Sequence, residues 1–333
     1  MKNTRSFLSR FGLATAPTVG LALVILAPAR VQSQNVEELK NQFNNVVGSR
    51  VEAMTILGGD YGVSGGTFSS FRGPNGTTQV SLDKFGGYGD IGDPEPIGNT
   101  GISWQPRLQG EMGYLEAKKV YTGGDLSGDV NKYQTFAIQF GGGGRFWYGD
   151  HFSIAPTLMG MYGHTKNIYT ANNPNTQDIA AQYDEQLVNW HANTWTIRPA
   201  AEAAWVQPWH RTIITLSSGY AYYHTESFSS SSSLLNINGD SGMWKNKIDV
   251  DIPLNKKLWG HELRTGGYFS RSELIDGLKS GLGTDHLYEF HPRLVLDFLG
   301  QLWKVQWIGI GGSYIWGGPL TGYSFGVDVA FRF

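Results

Sequence analysis

The chain has 333 residues, among them 45 Gly, 11 Trp, 16 Tyr and 17 Phe, with no Cys and only 16% charged residues. A mean hydropathy of −0.27 excludes a helical membrane protein, whose spans need runs of about 20 apolar residues. The lack of Cys excludes a disulfide scaffold, a thiolate metal site and a cysteine nucleophile, and a net charge of −2 gives no reason to expect nucleic acid. Glycine at about twice its usual share, together with many aromatics, suits a closed β-barrel in which every second residue faces outward.

Lys2, Arg5 and Arg10 form a basic start, followed by an apolar stretch whose core, Leu21 to Ala27, is uncharged. Cleavage is expected after Ser33 rather than Ala29, because Pro28 immediately precedes Ala29. Residues 1–33 therefore read as an export signal peptide, the stretch being short for a membrane anchor.

Residues 34–60 read as an amphipathic helix and its end. Val36, Leu39, Phe43, Val46, Val47, Val51 and Met54 recur at spacings of three and four. Glu37, Lys40, Asn41, Asn44, Asn45 and Arg50 occupy the opposite face, and Gly58-Gly59-Asp60 terminates the segment. A surface helix has this pattern, and the Asn-rich face would equally suit a wet pore interior.

Residues 61–333 alternate. Tyr323, Phe325, Val327, Val329, Phe331 and Phe333 take odd positions, while Ser324, Asp328 and Arg332 take even ones. Tyr288, Phe290, Pro292, Leu294, Leu296 and Phe298 likewise oppose Glu289, His291, Arg293, Val295 and Asp297. A strand places such residues on opposite faces. About twelve strands follow: Gly66–Phe71, Thr77–Phe85, Ile102–Tyr121, Asn131–Tyr148, Phe152–Tyr169, Asn189–Gln207, Thr212–Phe228, Met243–Ile252, Leu258–Leu274, Leu287–Leu299, Lys304–Trp316 and Gly322–Phe333. Alternation alone fits a soluble sandwich as well as a membrane barrel. Strand length, aromatic clusters at strand ends and the terminal Phe favour an all-β, closed antiparallel transmembrane barrel.

Loop lengths add a test. Tight turns are expected at Gly149-Asp150-His151, Pro208–Arg211, Asn255-Lys256 and Gly300–Trp303, alternating with long loops at Thr170–Val188, Ser229–Ser241 and Ile275–His286. Gly86–Gly101 breaks this rule, being long where a short turn belongs. Pro106, Pro156, Pro199 and Pro292 each follow an apolar outward residue by two, which suggests bulges or strand ends at the barrel rim. Gly141–Gly144 lacks the Lys-Ser/Thr of a phosphate loop and reads as close backbone approach or bending in the wall.

With the apolar face outward, the lumen-lining charges are Arg107, Glu111, Arg145, Arg198, Glu202, Asp249, Asp251, Glu262, Arg264, Glu289, Arg293, Asp297, Asp328 and Arg332. Both signs are interspersed. This fits a neutralising lattice better than a charge ladder that selects ions, which would need one sign to dominate a constriction. Enzyme chemistry would need a His–nucleophile constellation, and the candidates are His164-Thr165 and His224-Thr225-Glu226-Ser227. Both read as polar rim residues, so no catalytic residue, cofactor or metal is expected.

The order of parts resembles the autotransporter translocator barrel. The local match runs from Leu39-Lys40-Asn41-Gln42-Phe43-Asn44-Asn45 through Arg50-Val51-Glu52-Ala53 and Ile56-Leu57-Gly58-Gly59 to Gly65-Gly66-Thr67-Phe68, and again over Tyr323–Phe333. Only a few residues separate the signal peptide from the helix, so the resemblance is to the solitary, passenger-less members. It implies a bacterial outer-membrane location and a helix that threads the pore. It also implies recognition of the C-terminal strand by the barrel-assembly machinery, for which Tyr323, Phe325, Phe331 and Phe333 are the signal. In passenger-bearing members an Asn pair in the helix can mark self-cleavage; Asn44-Asn45 holds a similar place and is expected only to line the pore. The expected role is structural or transport-related, with a plugged lumen; the alternatives are a porin-like diffusion channel and, less favoured, a barrel hydrolase.

Overall fold

The structure is a computed structural model that describes residues 44, 48–57, 62–71, 77–302 and 305–331. The predicted signal peptide, most of residues 34–47, Arg332 and Phe333 lie outside the described residues.

The strands are β1 (Gly62–Phe71), β2 (Thr77–Asp90), the two-residue β3 (Glu95–Pro96), β4 (Ile102–Val120), β5 (Val130–Tyr148), β6 (Phe152–Thr170), β7 (His191–Trp209), β8 (Thr212–Ser230), β9 (Asn238–Leu258), β10 (His261–Asp276), β11 (His286–Leu302), β12 (Val305–Gly317) and β13 (Leu320–Phe331). All pair antiparallel with their neighbours. β1 bonds to both β2 and β13, and β2 bonds to β4, so the sheet closes on itself. β3 pairs with Ser103 and Trp104 of β4, beyond the end of β2, and extends the same ladder. Twelve strands therefore go round the barrel, and closure leaves no long edge open to another chain.

Three expectations need correction. The Gly86–Gly101 segment is not a long loop. β2 runs through its glycines to Asp90, the Ile91 amide bonds to the Pro106 carbonyl, and β3 continues the ladder to a short turn at Ile97–Ile102. Gly86 looks like loop sequence, yet a Cβ there would lie 2.8 Å from Cα of Glu111 on β4, so glycine is required by close strand contact. The Asn255-Lys256 turn is a bulge: β9 continues to Leu258, and the ladder with β10 skips between Lys256 and Pro253. Asn255 has φ 55°, a conformation Asn tolerates within a strand as well as in a turn. Finally, the prolines do not shift register. Pro106, Pro156, Pro199 and Pro292 sit within long strands on the outer face, and the ladder resumes in register after each local gap.

The glycine tract in β5 behaves as expected of close approach. A Cβ on Gly141 would lie 2.1 Å from the Leu158 carbonyl oxygen, and one on Gly143 would lie 1.9 Å from that of Pro156.

Five consecutive ring strands, β4 to β8, have 19 residues each. At about 3.3 Å per residue such a strand is roughly 60 Å long, so even tilted by about 40° it exceeds an apolar band about 25 Å tall. Outward positions carry that band: Phe140, Leu158, Ile310 and Phe325 are 59–68% exposed. Aromatics collect toward both ends. Tyr148, Trp209 and Trp259 mark the end with short turns, and Tyr288, Tyr314 and Trp316 stack near the end with long loops.

Candidate functional site

The lumen is the candidate site, and it has two unlike halves. Toward the loop end it holds residues 48–57, helical through residue 53 and turned from 54 to 57. Val51, Ala53, Met54 and Leu57 are buried against inward side chains of the wall, including Leu82, Leu115, Tyr133, Met161, Tyr223 and Met243. Two wall glycines make room. Met54 Sδ lies beside Gly113, and a Cβ on Gly163 would be 2.7 Å from Val51 Cγ1. The interior is therefore not polar throughout, as simple alternation implied. Where the helix lies, the outer face of the wall is apolar, and the inner face mixes apolar side chains that pack on the helix with buried polar ones such as Thr194, Thr225 and Ser241.

Polar contacts fix the helix in rotation and depth. Thr225 Oγ1 of β8 donates to Glu52 Oε1 at 2.7 Å, and Ser241 Oγ of β9 donates to the other carboxylate oxygen. Thr55 Oγ1 lies 2.9 Å from the Tyr223 hydroxyl. The Arg50 guanidinium sits 3.5 Å from the centroid of the Tyr133 ring. Lys84 Nζ of β2 donates to the Leu57 carbonyl at 3.4 Å, placing a cation at the negative, C-terminal end of the segment. Ser49 packs against the short helix Gly277–Leu282 at the loop end, and Leu57 meets Lys84 of β2, so the N-terminal end of the segment lies at the loop end and its C-terminal end points toward the turns.

Toward the turn end the lumen is charged. Of the sequence-predicted residues, those described in the strand bodies face inward, and they pair across strands rather than along them. Arg107 and Glu111, four apart, are separated by roughly 13 Å of strand. Arg107 lies 3.8 Å from both Asp90 and Glu202, and Arg145 bridges the same two carboxylates at 3.1 and 3.7 Å. Glu111 instead takes Lys84 at 3.0 Å and accepts from Gln139 at 2.7 Å. Across the lumen, Arg293 is bidentate to Asp249 at 2.6 and 2.9 Å, and Arg264 joins Asp251 to Asp297 at 2.8 and 3.2 Å. Glu289 accepts from Tyr268 and Ser313, and Asp328 meets His291 Nε2 at 2.9 Å. Glu262 sits at the exposed rim, 4.0 Å from Arg211. Arg198 faces the lumen without an ion-pair partner on its Nε and Nη1.

Sequence reasoning missed Glu52, Lys84 and Asp90, and it left Lys245 and Lys247 out of the lumen set. Extending the alternation of β2 past Phe85 would have placed Lys84 and Asp90 inward with Leu82. No sequence signal marks Glu52, whose partners lie on β8 and β9.

The hydrolase candidates do not assemble. His164 and Thr165 are on opposite faces of the wall: His164 Nδ1 meets Asn193 Oδ1 at 2.7 Å, whereas Thr165 is buried against Thr135. His224 is engaged on both ring nitrogens, by Asp240 at 2.8 Å and Glu226 at 3.1 Å, so neither is directed at a hydroxyl. Thr225 serves Glu52, and Ser227 Oγ accepts from the Ile237 amide. At the start of β11, His286 hydrogen-bonds Asp285 of the preceding loop and holds its carboxyl below the usual range. Among the described residues no three of His, Asp and Glu converge to hold a metal ion.

A closed twelve-strand antiparallel wall with an apolar outside, aromatic ends and a lumen filled from the N-terminal side defines an outer-membrane β-barrel of the translocator type. The chain belongs to the solitary outer membrane autotransporter beta-barrel family, whose model matches residues 97–326. Among solved structures, the transport unit of the autotransporter AIDA-I from Escherichia coli superposes with a TM-score of 0.57 at 11% identity, covering 86% of this chain and 99% of that one. The translocator domain of NalP from Neisseria meningitidis gives 0.48 at 14% identity, covering 86% and 94%. No curated protein matches the sequence. The protein is thus a barrel of the bacterial outer membrane, and its outward apolar band is the face that meets lipid.

Proposed function

We propose that this barrel is a plugged translocator-type channel whose resting state is closed by residues 48–57, with a structural or transport-related role rather than free diffusion of solutes. The observation that supports this reading is the seating of the helix: apolar packing of Val51, Met54 and Leu57 on the wall, locked by the Glu52 carboxylate between Thr225 and Ser241. Orientation follows from loop length, with the short turns periplasmic and the long loops external. The segment then rises from the periplasmic start of β1 toward the external mouth, the direction an N-terminal segment would take to the surface. Export by the 1–33 leader, and assembly through the C-terminal strand that carries Tyr323, Phe325, Phe331 and Phe333, complete the reading.

Planar-bilayer recording tests it. The intact protein should be silent or nearly so, and deletion of residues 35–57 should yield stable conductance. Steady conductance of the intact protein would favour the porin-like alternative instead. Deleting Phe333 should lower the heat-modifiable, membrane-inserted fraction if the C-terminal signal is read during assembly.

A further inference from the structure

On the outer face, beyond the apolar band at the loop end, three neighbouring strands repeat one spacing. Lys118 of β4 stands four residues from Tyr114, Lys132 of β5 four from Phe136, and Lys166 of β6 four from Tyr162, each on the loop side of its aromatic. The three rings are 37–41% exposed and face lipid. Four residues of a strand tilted by about 40° carry each lysine roughly 10 Å past its ring, into the head-group layer rather than the hydrocarbon.

The lysines form one group. Lys118 lies directly opposite Lys132 in the ladder, and Lys166 is diagonal to Lys132, whose own partner on β6 is Ile168. Like charges directly opposite on one face repel. Glu116 is the only carboxylate at the outward positions of β4, β5 and β6, and it is taken by Lys132 at 2.8 Å and by Gln134. Among the described residues Lys118 and Lys166 have no ion-pair partner. The acidic residues of the following loop lie past the strand ends, where Asp184 accepts from Asn189. Farther round the wall the equivalent place is acidic: four residues from Tyr222, Trp244 and Phe269 stand Glu226, Asp240 and Glu273. The positive excess is therefore confined to one sector of the outer face.

We propose that Lys118, Lys132 and Lys166 bind the phosphate-bearing head group of an anionic lipid in the leaflet at the loop end. A phosphate beside them neutralises the charges that Glu116 leaves unmatched, and the acyl chains of the same lipid lie along Phe136, Ile138 and Tyr162 in the apolar band. That leaflet is the external one in the orientation proposed above. Binding itself depends neither on that orientation nor on whether the helix blocks conduction.

The test is electron spin resonance of the folded barrel in phosphatidylcholine vesicles. The protein-bound fraction of a trace of spin-labelled phosphatidic acid is compared with that of spin-labelled phosphatidylcholine. Phosphatidic acid should be preferred by about twofold or more at low salt. The preference should shrink near 1 M salt, where the screening length is about 3 Å. Combined Lys118→Gln, Lys132→Gln and Lys166→Gln should remove most of it, whereas Arg211→Gln, which removes a positive charge at the turn end, should leave it unchanged. Heat-dependent gel mobility establishes that each variant is folded. If the triple variant does not fold, Lys118→Gln with Lys166→Gln, which breaks no ion pair, takes its place with a partial loss expected. Equal association of the two lipids with the parent overturns the proposal, and so does a preference that survives loss of the lysines. A lysine-dependent dimer on cross-linking, with equal association of the two lipids, would assign the sector to a second copy and overturn it as well.

Discussion

Val51 of the lumen helix rests directly on Gly163 of β6, so closely that a Cβ at that glycine would lie 2.7 Å from Val51 Cγ1 and 2.6 Å from Thr194 Oγ1. The neighbours cannot give way cheaply, since Val51 is fully buried and β-branched and Thr194 belongs to the adjacent strand. Gly163→Val should therefore disfavour the seated helix by about 1–3 kcal/mol, the usual cost of overpacking. The wall itself should survive. Brief openings in planar bilayers, with an unchanged heat-modifiability pattern, are the expected result; a silent channel would mean that the helix is held mainly elsewhere.

The polar lock is a separate contribution. Glu52 accepts from Thr225 and Ser241, which lie on two neighbouring strands. Glu52→Ala removes both bonds and leaves two hydroxyls in an interior region, a loss of about 1.5–3 kcal/mol from the seated state. A double-mutant cycle of Glu52→Ala with Ser241→Ala, read as the midpoint of protease cleavage within residues 48–57, should show non-additive losses. Strict additivity would show that the carboxylate and the hydroxyl do not cooperate.

Much of the wall was legible in the sequence, and the interior was not, for a physical reason. In β5 to β8 and β10 to β13 the ends read from alternation fall within about three residues of the strand bounds, because outward residues answer to one solvent along the whole strand. Inward residues answer to whatever lies opposite. Leu82, Leu115 and Tyr133 look like errors in the polar face until the helix from residues 48–57 is placed against them. Arg107 meets Glu202, a residue from three strands away, and nothing local in either segment announces that meeting. Gly86 to Asp90 was misread because glycine signals a loop and a crowded strand equally well, and only the neighbour at Glu111 distinguishes them.

Arg264 holds two carboxylates from different strands, Asp251 and Asp297, and Asp297 is almost fully buried. Arg264→Met leaves two acidic groups facing each other without their cation. Breaking a fully buried pair costs about 3–5 kcal/mol, and water in the lumen reduces this to about 2. The variant should convert to the unfolded gel form at a lower temperature than the parent. An unchanged temperature would indicate that this cluster is screened like a surface one.

His224 and His164 bear on the hydrolase alternative. With both ring nitrogens of His224 taken by carboxylates, and Asn193 on Nδ1 of His164, neither ring is set to activate a hydroxyl. His164→Ala and His224→Ala should leave phospholipid hydrolysis by purified protein at the background of the parent. A hydrolytic rate that falls by a hundredfold in either variant would restore the enzyme reading.

Adjacent residues Gln139 and Phe140, midway along β5, separate the two solvents of this wall. Gln139 is buried and bonded to Glu111 in the lumen, while Phe140 is 65% exposed on the outside. A lysine on the lipid face near the bilayer midplane costs about 2–4 kcal/mol, whereas lumen substitutions are mild. Phe140→Lys should therefore lower the refolding yield into lipid vesicles and the urea midpoint of the folded barrel. Gln139→Lys places the same charge one residue away, next to the Glu111 carboxylate, and should change either quantity little. A soluble sandwich would reverse the order, tolerating the charge at position 140 and failing with it at 139, so the pair of variants tests the inside-out arrangement directly.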